Sequence, residues 1–134
     1  MRWWFLFVLF IAGPAAAQKA IHLPSVKTKN LTDGVVVQKL FGDSTVSSNL
    51  LWIREEVRPH FHSFHSEHVY VVEGTAQMLF NHETLFLRAG DLVFIPAGTV
   101  HAVRPTGKDP LRVLSIHSPA FDGSDRVLVE KTGW

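Results

Sequence analysis

Beyond residue 17, no stretch of this 134-residue chain places apolar residues at helical spacing for three turns. The chain carries instead a succession of short β-branched and aromatic runs, with Gly or Pro at nearly every junction. Val35 to Phe41 stops at Gly42-Asp43. Leu50-Leu51-Trp52-Ile53 leads on to Val57, with Pro59 behind it, and Val69 to Val72 ends at Glu73-Gly74. Ala76 to Phe80 and Thr84 to Leu87 flank Asn81-His82-Glu83, which predicts a hairpin with a three-residue loop. Leu92 to Ile95, Val100 to Val103, Leu111 to Ile116 and Arg126 to Val129 complete the series. Eight or more short strands in one small domain predict an all-β barrel or sandwich, with its edges closed as a jelly roll. The length is enough for such a core to fold without covalent staples.

The N-terminal segment has a different character. Met1-Arg2 precedes an apolar run from Trp3 to Ala12, and Gly13-Pro14 leads to Ala15-Ala16-Ala17. A positive start, about ten apolar residues and a small-residue end predict a secretory signal peptide over residues 1–17. A transmembrane helix needs about 20 apolar residues. An uncleaved N-terminal anchor is the alternative. Residues 18–30 contain Pro24 and three Lys and lack apolar periodicity, so they read as an extended arm, with the barrel occupying residues 31–134. The expected location is therefore secreted or periplasmic.

Removing the leader also removes Arg2, one of 13 basic residues, and leaves 12 basic against 12 acidic. A neutral mature chain gives no electrostatic reason to expect nucleic acid or an anionic membrane as partner. The absence of Cys excludes disulfide frameworks, thiolate zinc sites, iron–sulfur clusters and thiol nucleophiles. Histidine is the one abnormal count. There are eight, and half of them lie between His60 and His68.

That segment reads Pro59-His60-Phe61-His62-Ser63-Phe64-His65-Ser66-Glu67-His68. In a strand, His60 and His62 point to one face. Ser63 to Ser66 can turn the chain and bring Glu67 back at the head of the next strand. Two imidazoles and a carboxylate converging in this way form a mixed nitrogen and oxygen metal site. A second segment, Gly90 to His101, offers a strand, a Pro-x-Gly turn and a lone His that can supply a fourth ligand. A solvated turn would explain a single His cluster, but not this second segment.

The two segments resemble the paired motifs of the cupin superfamily. The first family motif runs His-x-His, three or four residues, Glu, six residues, Gly, and is matched by His60, His62, Glu67 and Gly74. The second runs Gly, five residues, Pro-x-Gly, two residues, His, and is matched by Gly90, Pro96, Gly98 and His101. Arg54 stands where a Gly often opens the first motif, and Pro105 where an Asn closes the second; neither is a ligand position. The resemblance implies a single-domain double-stranded β-helix with His60, His62, Glu67 and His101 as metal ligands. The implied cofactor is one divalent transition metal, Fe, Mn, Ni, Cu or Zn, and ligand type does not choose among them. It also implies a small-molecule substrate or ligand, and a homodimer.

The remaining candidates carry blander readings. His65 is expected to be a solvated turn residue, with an alternative as a ligand should Glu67 swing away, and His68 and Tyr70 are expected to face away from the site. His117 either faces the barrel mouth or sits at an exposed strand end. His22 belongs to the arm and His82 to the hairpin. Val69 and Val71 share the face of Glu67. Trp52, Met78, Phe80 and Phe94 could line a pocket or simply fill the core, and Arg54 and Arg104 could hold an anion or be solvated. No general acid or base declares itself. The leading expectation is a metal-dependent enzyme, dioxygenase-like or performing related enol or acid chemistry on a small organic substrate. A non-catalytic metal-dependent binding or sensing domain is the alternative, and a metal that only braces the barrel is a third.

Overall fold

The computed structural model describes residues 20–28, 31–32 and 34–130. The predicted leader, residues 1–17, lies outside them. Among the described residues ten strands run in order: β1 (Val35–Gly42), β2 (Ser47–Ile53), β3 (Val57–Phe61), β4 (Ser66–Glu73), β5 (Thr75–Phe80), β6 (Glu83–Arg88), β7 (Leu92–Ile95), β8 (His101–Pro105), β9 (Leu111–Ser118) and β10 (Val127–Leu128). They form two five-stranded antiparallel sheets, β1-β2-β9-β4-β7 and β10-β3-β8-β5-β6. Among the described residues the only helical element is one 3-10 turn at Leu23–Ser25. This is the expected all-β jelly roll.

Alternation decides which side chains meet between the sheets. The inward faces contribute Ile53, Val69, Val71, Ala76, Met78, Ile95, Val103, Leu111 and Val113 to one apolar cluster. Gly74 is the single residue between β4 and β5. Its φ of +93° strains any residue with a side chain, and an added Cβ would crowd the Leu111 Cα at 3.2 Å.

Two local expectations are corrected. Phe80 pairs with Glu83, so the β5–β6 connection is Asn81-His82 alone, and Asn81 adopts the positive φ that such a short hairpin loop demands. The run Leu50 to Val57 is not continuous either. Arg54 to Glu56 separate β2 from β3, and the pairing of β3 with β8 shifts register between Val57 and His60, where Pro59 has no N–H to give.

The arm and the C-terminal segment close the barrel from outside and from one end. Arg112, buried on the outer face of β9, donates from Nη1 to the Val26 carbonyl at 2.9 Å and from Nη2 to that of Pro24 at 3.1 Å, and pairs with Glu73. Trp52, opposite Arg112 in the β2–β9 register, is buried on that same face. After β9 the chain crosses to β3, where β10 pairs with Phe61 and His60.

Candidate metal centre

β3, β4 and β8 deliver His60, Glu67 and His101, and His62 follows directly after β3, so the four expected side chains come to one end of the barrel. His60, His62, Glu67 and His101 are all buried. The two segments that carry them are tied directly, because the Gly98 N–H donates to the His62 carbonyl at 2.7 Å. The positive φ of Gly98, +79°, belongs to the Pro96-Ala97-Gly98 turn that makes this contact. Glu67 Oε2 lies 3.2 Å from His101 Nε2 and 3.7 Å from His62 Nε2. The rings of His60 and His101 approach with centroids 4.2 Å apart.

The far nitrogen of each ring fixes its tautomer. His60 Nδ1 donates to the Arg58 carbonyl at 2.8 Å, His101 Nδ1 to that of Thr99 at 2.9 Å, and His62 Nδ1 to that of Asp125. A carbonyl only accepts, so each Nδ1 carries the proton and each neutral ring turns the lone pair of Nε2 inward. His101 Nε2 is buried with no hydrogen-bond partner. A bare nitrogen against a carboxylate oxygen at 3.2 Å is repulsive unless a cation or a proton lies between them. The donor set therefore fits a divalent transition metal. Atoms within 4.8 Å of one another define two overlapping groups, His60–His62–His101 and His62–Glu67–His117.

In the metal-free protein, protons respond to the same arrangement. Burial, reinforced by neighbouring His101, pushes His60 down to about 3, so this ring stays neutral. Burial also pulls on His62, but the nearby Glu67 carboxylate and the Asp125 carbonyl bonded to its Nδ1 outweigh that and raise its pKa. Burial would raise Glu67, yet the imidazoles of His101, His62 and His117 around it hold it well below the usual carboxylate range.

Several contributors were not foreseen. His65 is buried rather than solvated: its Nδ1 donates to Asp125 Oδ2 at 2.7 Å, and its ring packs on Phe121. Asp125 also accepts the backbone N–H groups of Ser63, Phe64 and His65, so it caps the turn between the His pair and Glu67. Desolvation opposes its charge, but those four donors hold its carboxyl far below the ordinary range. No local pattern announces Asp125, which reaches this turn from about 60 residues away in sequence. His117, whose placement was open, lies buried beside Glu67, stacked on Phe121 at 4.5 Å. His68 faces outward against Phe94, and Tyr70 is exposed, as expected.

The centre opens into a cavity of about 370 Å³. Its walls are largely aliphatic, including Val35, Val37, Leu51, Val57, Met78 and Val103. Of the four pocket candidates only Met78 lines it. Trp52 and Phe94 lie on the outer face, and Phe80 packs against the core. Arg54 and Arg104 are likewise absent from the lining, whereas Arg58 and Arg126 are part of it together with Glu56.

Fold and site together define a small β-barrel with an imidazole and carboxylate centre open to one cavity. Residues 51–117 match the Cupin domain family (Cupin_2). The chain is also 35% identical over 96 residues to an uncharacterized protein of Aquifex aeolicus (strain VF5), an alignment covering 72% of this chain and 78% of that one. This chain belongs to the cupin family. It is 31% identical over 67 residues to mannose-1-phosphate guanylyltransferase RfbM of Salmonella typhimurium, half of this chain but 14% of that enzyme's length. A solved Klebsiella pneumoniae protein with a double-stranded β-helix domain shares the fold at a TM-score of 0.69 and 19% identity, covering 85% of this chain and 99% of that one.

Proposed function

We propose that the protein is an exported metal-dependent enzyme acting on a small organic substrate, with its ion held by His60, His62, Glu67 and His101. The observation that carries this reading is the convergence of inward-facing Nε2 lone pairs and a buried carboxylate at the floor of a 370 Å³ cavity. A divalent ion there, when bound, supplies Lewis acidity to a substrate oxygen, and dioxygenase-like or related enol chemistry if the metal is redox-active. The protein's own side chains do the rest. The aliphatic walls exclude water from the reacting end. Arg58 and Arg126, on the same cavity, can dock a carboxylate or phosphate group of the substrate, and Glu56 beside them disfavours a second negative charge.

The test is turnover by metal-loaded protein on small enolisable carboxylates and phosphates, followed by product detection and O₂ uptake. Metal-dependent product formation supports the enzyme. Metal-dependent binding without product identifies a sensor instead. Export rests on Arg2, the apolar run and Ala15 to Ala17. N-terminal sequencing of exported protein is expected to begin at Gln18, and retention of Met1 contradicts cleavage. A homodimer belongs to the same proposal. It is supported by edge strand β7, whose Leu92 and Phe94 are exposed beside Tyr70 and His68 of β4. A monomer at micromolar concentration in light scattering removes this element.

A further inference from the structure

Ser115 sits between Glu67 and His117 and settles how His117 presents itself. Its Oγ is 2.6 Å from Glu67 Oε1 and 3.2 Å from His117 Nδ1. A hydroxyl has one proton, and the ionised carboxylate can only accept, so Ser115 donates to Glu67. Toward His117 the same oxygen must then accept, which places a proton on Nδ1 and leaves Nε2 bare. That nitrogen is buried, has no hydrogen-bond partner, and lies 3.6 Å from Glu67 Oε2. A buried lone pair aimed at a carboxylate lacks the counterpart that such groups almost always have.

The backbone enforces this position. Glu67 of β4 and His117 of β9 are directly paired in register, and both side chains project inward. Phe121 stacks on the imidazole, with ring planes 17° apart, so the ring is held across one face as well as through Nδ1. His62, Glu67 and His117 form a ligand group in their own right, and His62 is shared with the group His60–His62–His101.

From this arrangement we infer that His117 is a further protein ligand to the ion through Nε2, so that the centre presents four imidazoles and one carboxylate. The inference rests on the metal-centre reading above and adds a residue that neither sequence motif contains. Its chemical consequence concerns access. Five protein ligands leave a six-coordinate ion one position for substrate, where four would leave two. Substrate then binds through a single oxygen, and bidentate chelation requires a protein ligand to leave.

Co(II) is the probe, and the wild-type protein suffices for the first measurement. Each coordinated imidazole that keeps a proton on Nδ1 contributes one exchangeable, hyperfine-shifted proton resonance to the Co(II)-loaded protein. Four such resonances are expected, from His60, His62, His101 and His117; three overturn the inference while leaving the metal centre in place. Failure of the wild-type chain to take up Co(II) overturns both. The variant His117→Gln is the second measurement, with folding checked by its melting transition. A folded variant is expected to lose one resonance, change its visible Co(II) spectrum and bind Co(II) at least about tenfold more weakly. A folded variant with unchanged spectrum and affinity overturns the assignment.

Discussion

On β4, Val71 is fully buried among aliphatic side chains, while Glu67, four residues earlier on the same face, is buried among imidazoles. β8 repeats the contrast from Val103 to His101, and β9 from Val113 to Ser115 and His117. Each strand thus spends one end on packing and the other on chemistry. The packed end gains from apolar burial at roughly 25 cal/mol per Å². The polar end carries a desolvation cost, offset only where every ring is bonded at its far nitrogen and Glu67 is bonded by Ser115. Stability and function are therefore separable by position along a strand.

The largest expected effect lies at the packed end. Leu111, completely buried between the sheets, should cost about 2–5 kcal/mol when truncated in Leu111→Ala, measured by denaturant unfolding. Metal uptake per folded molecule should stay unchanged. A comparable loss of metal would mean that the two ends are coupled and break the comparison.

Asp125 tests the support behind the centre. Its carboxylate gathers three backbone N–H groups and the His65 ring, and its own carbonyl holds His62. Asp125→Asn is expected to weaken metal binding about 10–100-fold, as loss of an outer hydrogen-bond partner typically does. Titration calorimetry with Zn(II) reads the change, and unchanged affinity would show that the turn orders itself.

A graded effect, no more than about 1.4 kcal/mol per pH unit for any one group, is expected in the metal-free protein. His60 is held at about 3, against an ordinary 6.5. Below pH 6.5 the unfolded chain therefore takes up a proton that folded His60 refuses. Stability present above 6.5 is lost progressively as the pH falls toward 3, at up to about 1.4 kcal/mol per pH unit. Glu67 and Asp125, both depressed, add losses at the acid end of this range. His62, which is raised, acts in the opposite sense, and its contribution is lost as pH rises through its folded value. His60→Gln should flatten the slope between pH 6 and 4, and an identical slope would mean that His60 is not shielded.

The smallest effect is expected one residue from the centre. His68 comes directly after Glu67 but faces outward onto Phe94. His68→Ala should leave metal content unaltered, and a loss would contradict the inward and outward alternation of β4.

The strands were legible because each carries its own pattern, and most boundaries fall where Gly or Pro interrupts it. The paired motifs were legible for a similar reason: His60, His62 and Glu67 need only a strand, a turn and a strand to meet. His117 needs more, because its approach to Glu67 depends on the β4–β9 register, which joins segments about 50 residues apart. On β9 it shares a face with Val113 and Ser115, but nothing local says whether the strand runs that far inside. His65 looked solvated because Ser63, Phe64 and Ser66 surround it, and Phe64 is indeed exposed. Its burial comes from Asp125 and Phe121 in the C-terminal segment. The cavity arginines escaped for the same reason, since Arg126 reaches the mouth only once β10 docks on β3.

Metal content tests the central claim most directly. The chain should be purified without chelators, analysed for Mn, Fe, Co, Ni, Cu and Zn, and compared with the double variant His62→Ala, Glu67→Ala. The account predicts close to one transition-metal ion per wild-type chain, restored after chelation by added metal, and almost none in the folded double variant. A wild-type chain that stays metal-free with every one of these ions, or a double variant that retains full stoichiometry, would contradict it.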